Sequence, residues 1–223
     1  MKTLVCFGTR PEYLKIKPLV SENPNFDTLF LKQHVDIISF GKSTHSVDIS
    51  DVCNNRLNSI FQQILLKAEK IINDYDNIVV QGDTATVAAV ALTAYNLKKK
   101  IFYIESGLRS FDLENPFPEE GYRQMVSRIA TVNFCPTELS AQNLKDEKVL
   151  GDIHITGNTS LDNLVSHKET AFYGKDILVT LHRNENLHLL DKWLEKIDQI
   201  AKNYHRHQFI YPVHPNPIIK KAA

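Results

Sequence analysis

Short apolar runs alternate with helix-like stretches along most of this chain, and that alternation limits the fold more than any single residue does. Residues 4–7, 26–32, 77–81, 101–104, 131–135 and 152–156 read as strands, each rich in β-branched or aromatic side chains and closed by a turn. Between them lie helical patterns. Leu14, Ile16, Leu19 and Val20 mark the first, and residues 85–95 form an alanine-rich one. Leu57, Ile60, Phe61, Ile64, Leu65, Ala68, Ile71 and Ile72 recur near a 3.6 period, so 56–75 reads as one amphipathic helix. Helices are also expected over 119–130, from Glu138 to about Lys148, and opening at 157–160. Residues 33–54 are polar, with His34, Asp36, His45 and Asp48, and read as a long loop. Strand and helix in strict alternation imply an α/β fold with a parallel, doubly wound sheet.

The pattern resets near 171–175. Residues 177–181 and 209–213 then read as strands around an amphipathic helix, 187–204, that carries Trp193. The expected division is a Rossmann-like domain over 1–170 and the start of a second over 171–223. Two strands and one helix do not close a core by themselves, so the second domain reads as incomplete, with apolar surface for something to cover, a homodimer partner being one such cover.

Composition narrows the partners. Lys and Arg number 26 and so do Asp and Glu, giving a formal net charge of +0; neither nucleic acid nor an anionic membrane is suggested, and a small substrate fits better. Cys6, Cys53 and Cys135 have no metal-ligand spacing, and two of them lie in apolar strand-like runs as reduced thiols do. No His pair has helical ligand spacing, so no metal is expected. No stretch is long and apolar enough to span a bilayer, and the start does not read as a signal peptide. A soluble cytoplasmic protein is expected.

In an open α/β sheet, ligands sit beyond the carboxyl ends of the strands. Three such ends carry charge. After the first strand comes Gly8-Thr9-Arg10-Pro11-Glu12, with Lys15 on the following helix. Thr9 and Glu12 have capping-box spacing, but two cations near a helix start oppose the macrodipole unless an anion binds there. The turn is not the G-x-G-x-x-G fingerprint, which argues against NAD or FAD. Gly82-Asp83-Thr84 follows another strand, with Asp83 either an N-cap or a site residue. Glu105-Ser106-Gly107-Leu108-Arg109 follows the next, Glu105 either pairing locally with Arg109 or serving chemistry. Beyond it, Glu119 and Arg123 stand four apart on one helix face, as a surface pair or as part of the site. Gly157-Asn158-Thr159-Ser160 offers donors that suit a phosphate or a helix cap.

These segments occur in one order with Pro116-Phe117-Pro118-Glu119-Glu120, His182-Arg183-Asn184-Glu185-Asn186 and Tyr211-Pro212-Val213-His214-Pro215-Asn216-Pro217. Together they resemble the non-hydrolysing UDP-N-acetylglucosamine 2-epimerases across almost the whole chain. The resemblance implies two Rossmann-like domains of the glycosyltransferase-B type with the active site between them, a UDP-2-acetamido sugar as substrate, and no cofactor or catalytic metal. It implies elimination of UDP across C1–C2, then re-addition with the proton returned to the other face of C2. A C2 proton with no adjacent carbonyl is not acidic, so positioned carboxylates and relief of charge on the leaving diphosphate are needed. The resemblance assigns catalysis to Asp83, Glu105, Glu119 and His182, and substrate binding to Arg10, Lys15, Arg109, Arg123, Asn158, Arg183 and His214. Two departures stand out. The family's second domain continues past the segment equivalent to 214–217, and its allosteric glutamine pattern is replaced here by Gln33-His34-Val35-Asp36-Ile37. A hydrolysing epimerase or related glycosyltransferase-like enzyme, and an inactive sugar-nucleotide-binding module, are the alternative readings.

Overall fold

The computed structural model describes residues 1–32, 43–164, 174–181, 184–213 and 217–222. The chain divides into two compact units, Met1–His167 and Lys168–Ala223.

The first unit is built on a parallel sheet of β1 (Thr3–Phe7), β2 (Asp27–Lys32), β3 (His45–Asp48), β4 (Asn77–Gln81), β5 (Lys100–Ile104), β6 (Val132–Cys135) and β7 (Asp152–Ile155). Their spatial order is β3-β2-β1-β4-β5-β6-β7. The chain therefore winds outward from β1 to β3, returns, and winds the other way from β4. That reversal opens a crevice at the carboxyl ends of β1 and β4, which is where ligands bind in sheets of this kind.

Alternation along the strands sorts the core into two faces. Leu4, Cys6, Leu29, Leu31, Ile78, Val80, Ile101 and Tyr103 belong to the larger cluster. It is covered by α2 (Arg56–Lys67), α3 (Glu69–Asn73), α4 (Ala85–Asn96) and α5 (Glu119–Ile129). Val5, Phe7, Phe30, Val79 and Ile104 form the other face with Ile16 and the half-buried Tyr13, Leu19 and Val20 of α1 (Arg10–Glu22). A third cluster joins β6 to α6 (Glu138–Asp146) through Cys135, Ala141 and Leu144. The alanine content of α4 has a steric reason: the helix packs against α2, α5 and the sheet at once, and Ala88, Ala89, Ala91 and Ala94 have essentially no exposed surface. Small side chains let the backbones approach on every side.

In the first unit, two elements differ from the sequence expectation. The polar stretch before α2 contributes a strand: β3 pairs with β2 from Leu29↔His45 to Lys32↔Asp48. This edge strand has four residues with Val47 alone buried, too short an alternation to be read from sequence. The helix expected over 56–75 is broken at Ala68 into α2 and α3. Ala68 keeps a right-handed backbone (φ −91°, ψ −15°), so Ile64, Ala68 and Ile72 stay buried on one stripe through the break. An unbroken apolar period therefore concealed it.

The second unit contains β8 (Asp176–Leu178) and β9 (Gln208–Ile210), paired in parallel, joined through a 3-10 turn (Asn184–Leu189) and α8 (Leu190–Asn203). The Tyr211 hydroxyl donates to the Leu181 carbonyl at 2.8 Å, tying the two strand exits together. A short helix, α9 (Pro217–Ala222), follows the second exit.

Candidate active site

Three turns at adjoining strand ends bring candidate residues together, and partly buried hydrogen bonds link them. Thr9 caps α1, and Glu12 completes the capping box by accepting from Thr9 N at 3.1 Å. Glu12 also accepts from Gly8 N at 2.6 Å and from Thr84 Oγ1 at 2.6 Å. Thr84 is the N-cap of α4, so Asp83 does not cap it and its carboxylate is left for other partners. The Glu12 carboxylate thus ties the β1–α1 turn to the β4–α4 turn. Burial pushes the Glu12 carboxyl up, against the hydrogen bonds from Gly8, Thr84 and Thr9 that favour the charged form.

Glu105 follows β5 directly and has φ +67°, a left-handed backbone that a residue with a Cβ rarely takes. Its carboxylate pairs with Lys15 Nζ of α1 at 2.5 Å rather than with Arg109. Gln81 Nε2, at the end of β4, donates to the same Oε2 atom. Glu105 thus joins three elements, and its side chain is only 14% exposed. Observed strain of this kind motivates a functional reading, because the surrounding structure must hold the residue there.

Asp83 takes Arg123 as its partner, with Arg123 Nε donating at 2.8 Å and Nη2 lying 2.6 Å from the same Oδ2. Arg123 also approaches Glu120 at 3.4 Å. The expected Glu119–Arg123 pair does not form, because the first turn of α5 presents Glu120 to the interior and leaves Glu119 partly exposed. Glu120 is fully buried and accepts from Ser110 N, Phe111 N and Gln124 Nε2. Burial pushes its carboxyl up, but those bonds and the Arg109 charge outweigh burial and hold it below the usual carboxylate range. Tyr103 is fully buried, and its hydroxyl is pushed up by burial and by the charges of Asp83 and Glu105.

Arg109 has no exposed side-chain surface. It forms a two-point pair with Glu147, at 2.6 and 2.9 Å, and donates to Ser127 Oγ and the Leu108 carbonyl. Its donors are spent inside the fold. Asn158 Oδ1 accepts from Ser160 N at 2.9 Å and caps the short helix α7 (Thr159–Asp162). Arg10 lies exposed at the start of α1 and makes no ion pair among the described residues. A concave region of ≈ 820 Å³ beside α1 and α7, within the range of small-molecule sites, is lined by Lys15, Lys17, Ser21, Ser160 and Asn163. His182, Arg183 and His214, and the 33–37 stretch, lie outside the described residues. Among the described residues no three His, Cys, Asp or Glu side chains come together as a metal site needs, and no helix is long and apolar enough to cross a membrane.

Gln81, Thr84 and Glu120 were not legible as site residues. A polar residue closing an apolar strand was the only signal for Gln81; Thr84 and Glu120 stood only inside the quoted segments, since helical spacing does not say which of two adjacent acids turns inward.

The family model described as UDP-N-acetylglucosamine 2-epimerase matches residues 20–223. The chain belongs to the UDP-N-acetylglucosamine 2-epimerase family. Among proteins of that name, the one from Campylobacter jejuni is 35% identical over 257 residues, covering 100% of this chain and 67% of the relative. The one from Bacillus subtilis is 33% identical, and this chain spans 65% of its length. A crystal structure from Listeria monocytogenes, described as a putative UDP-N-acetylglucosamine 2-epimerase, superposes with a TM-score of 0.87 at 27% identity, covering 100% of this chain and 65% of that one. The UDP-GlcNAc 2-epimerase of Neisseria meningitidis, solved bound to UDP-GlcNAc, gives 0.85 at 30% identity, with 100% and 68% covered. Carboxylates at the ends of β4 and β5 are each held by a cation, Asp83 by Arg123 and Glu105 by Lys15.

Proposed function

We propose that this chain takes part in epimerisation at C2 of UDP-N-acetylglucosamine or a closely related UDP-2-acetamido sugar, without hydrolysis. The observation that carries the reading is the Glu105 carboxylate, carried on a left-handed backbone and held by Lys15 and Gln81 at a strand end beside the Asp83–Arg123 pair. In this reading a carboxylate takes the C2 proton while the C1–O bond to UDP breaks and a C1–C2 double bond forms. UDP then adds back at C1 and a proton is delivered to the opposite face of C2. Glu105, Asp83 and Glu119 are the proton-handling candidates, since attack from two faces needs more than one group. Arg10 opens α1, where the departing diphosphate gains from the helix N-terminus, and Lys15 lies on the second turn. Arg109 acts from inside the fold by holding the 105–109 turn against Glu147. His182, Arg183, Asn158 and His214 complete the assignment.

Incubation with UDP-N-acetylglucosamine in deuterated water tests it. Deuterium at C2 together with appearance of the 2-epimer supports the reading. Neither, across several UDP-acetamido sugars, would sink it, and stoichiometric release of free UDP would favour a hydrolysing enzyme.

A further inference from the structure

Gln81 closes β4 at 1% exposure, directly after the buried Ile78, Val79 and Val80. An apolar side chain would suit such a place better, because burying an amide without full hydrogen bonding is costly. Its carbonyl Oε1 indeed has no partner among the described residues. The single described bond of this side chain runs from Nε2 to Glu105 Oε2. The amide cannot turn over, since its carbonyl would then face a carboxylate oxygen and two acceptors would meet. A buried, half-satisfied amide is therefore aimed at one atom.

That atom is already the partner of Lys15 Nζ. Both donors fall on Oε2, and among the described residues none falls on Oε1. Lysine brings charge on a flexible four-carbon stem and does not fix the plane of a carboxylate. The shorter amide, on a strand end in register with Ile104 next to Glu105, gives Oε2 a second and less mobile donor. From this geometry we infer that Gln81 is a positioning residue: it locks the Glu105 carboxylate so that Oε2 is occupied and Oε1 is presented for proton transfer. The inference rests on the proposed role of Glu105 in handling the C2 proton. Preorganisation of this kind acts on the barrier rather than on substrate affinity.

Gln81→Met keeps the length and bulk of the side chain and removes the donor; Gln81→Leu is a second variant should the first fold poorly. With ¹⁵N-labelled protein, the Gln81 side-chain amide of the wild type is expected to carry a downfield proton that moves in Glu105→Ala. A resonance indifferent to Glu105 overturns the inference. In turnover of UDP-N-acetylglucosamine, kcat and C2 deuterium incorporation are expected to fall roughly 10- to 100-fold with KM within about twofold and an unchanged melting temperature. Unchanged kcat, or a rise of KM that accounts for the whole loss, overturns it. A wild type that incorporates no deuterium instead overturns the functional reading on which the role of Gln81 depends, a result separable from a wild type and variant that exchange equally.

Discussion

Glu105 and Glu120 show how residue type and local backbone divide labour between chemistry and support. Glu105 occupies a left-handed backbone position and is held by a cation and an amide. Glu105→Gln keeps the shape and removes the base, so C2 deuterium exchange should drop to background while far-UV circular dichroism and the melting temperature stay near wild type. Loss of folded protein would instead assign Glu105 a structural role. Glu120 is the opposite case, a buried carboxylate that accepts from the backbone of Ser110 and Phe111. Its folded pKa is held below the ordinary value. Its stabilisation is therefore complete above the unfolded pKa, about 4.3, and is lost as pH falls through the folded value. Glu120→Gln should lower stability at pH 7 by about 1–3 kcal/mol. Urea unfolding from pH 7 downward should also show a shallower acid loss for the variant than for the wild type; parallel curves would contradict the assignment.

At the scale of elements, the site depends on turns that tolerate one residue type. Gly107 has φ +84°, and a Cβ built there would lie 2.2 Å from the Ser140 carbonyl oxygen at the start of α6. Backbone cannot move aside as a flexible side chain can. Gly107→Ala should cost about 1–3 kcal/mol from the backbone conformation alone, and more from the clash. Chemical denaturation reads this directly, and a variant as stable as wild type would show that the β5 exit is not held so tightly. The strong elements of the first unit were legible because their apolar periods are long: β4, α4 and α5 lie where the pattern puts them, within a residue or two. The edge strand β3 and the break at Ala68 were not. One buried residue in four does not establish a period of two, and a right-handed backbone at Ala68 leaves the apolar stripe in phase across the break.

At the scale of the molecule, the first unit has its own two-sided core, so a chain ending after His167 should unfold cooperatively by itself. A single thermal transition for that piece checks this; a broad, non-cooperative melt would show that it needs the rest of the chain. Alternation of strand and helix, read from sequence, determined the α/β class, the parallel sheet and the strand ends where charged residues gather. It did so because burial of a sheet and of amphipathic helices leaves a period that local sequence must obey. The pairing of those charges was settled only by tertiary structure. Spacing suggested Glu105 with Arg109 and Glu119 with Arg123, but the fold pairs Glu105 with Lys15, Arg109 with Glu147, and Arg123 with Asp83 and Glu120. These partners are distant in sequence or differ by one helical position, and strand order and the rotation of α5 decide which of them meet. The period of a chain is a local property, whereas the partner of a charge is set by which strand ends the sheet brings side by side.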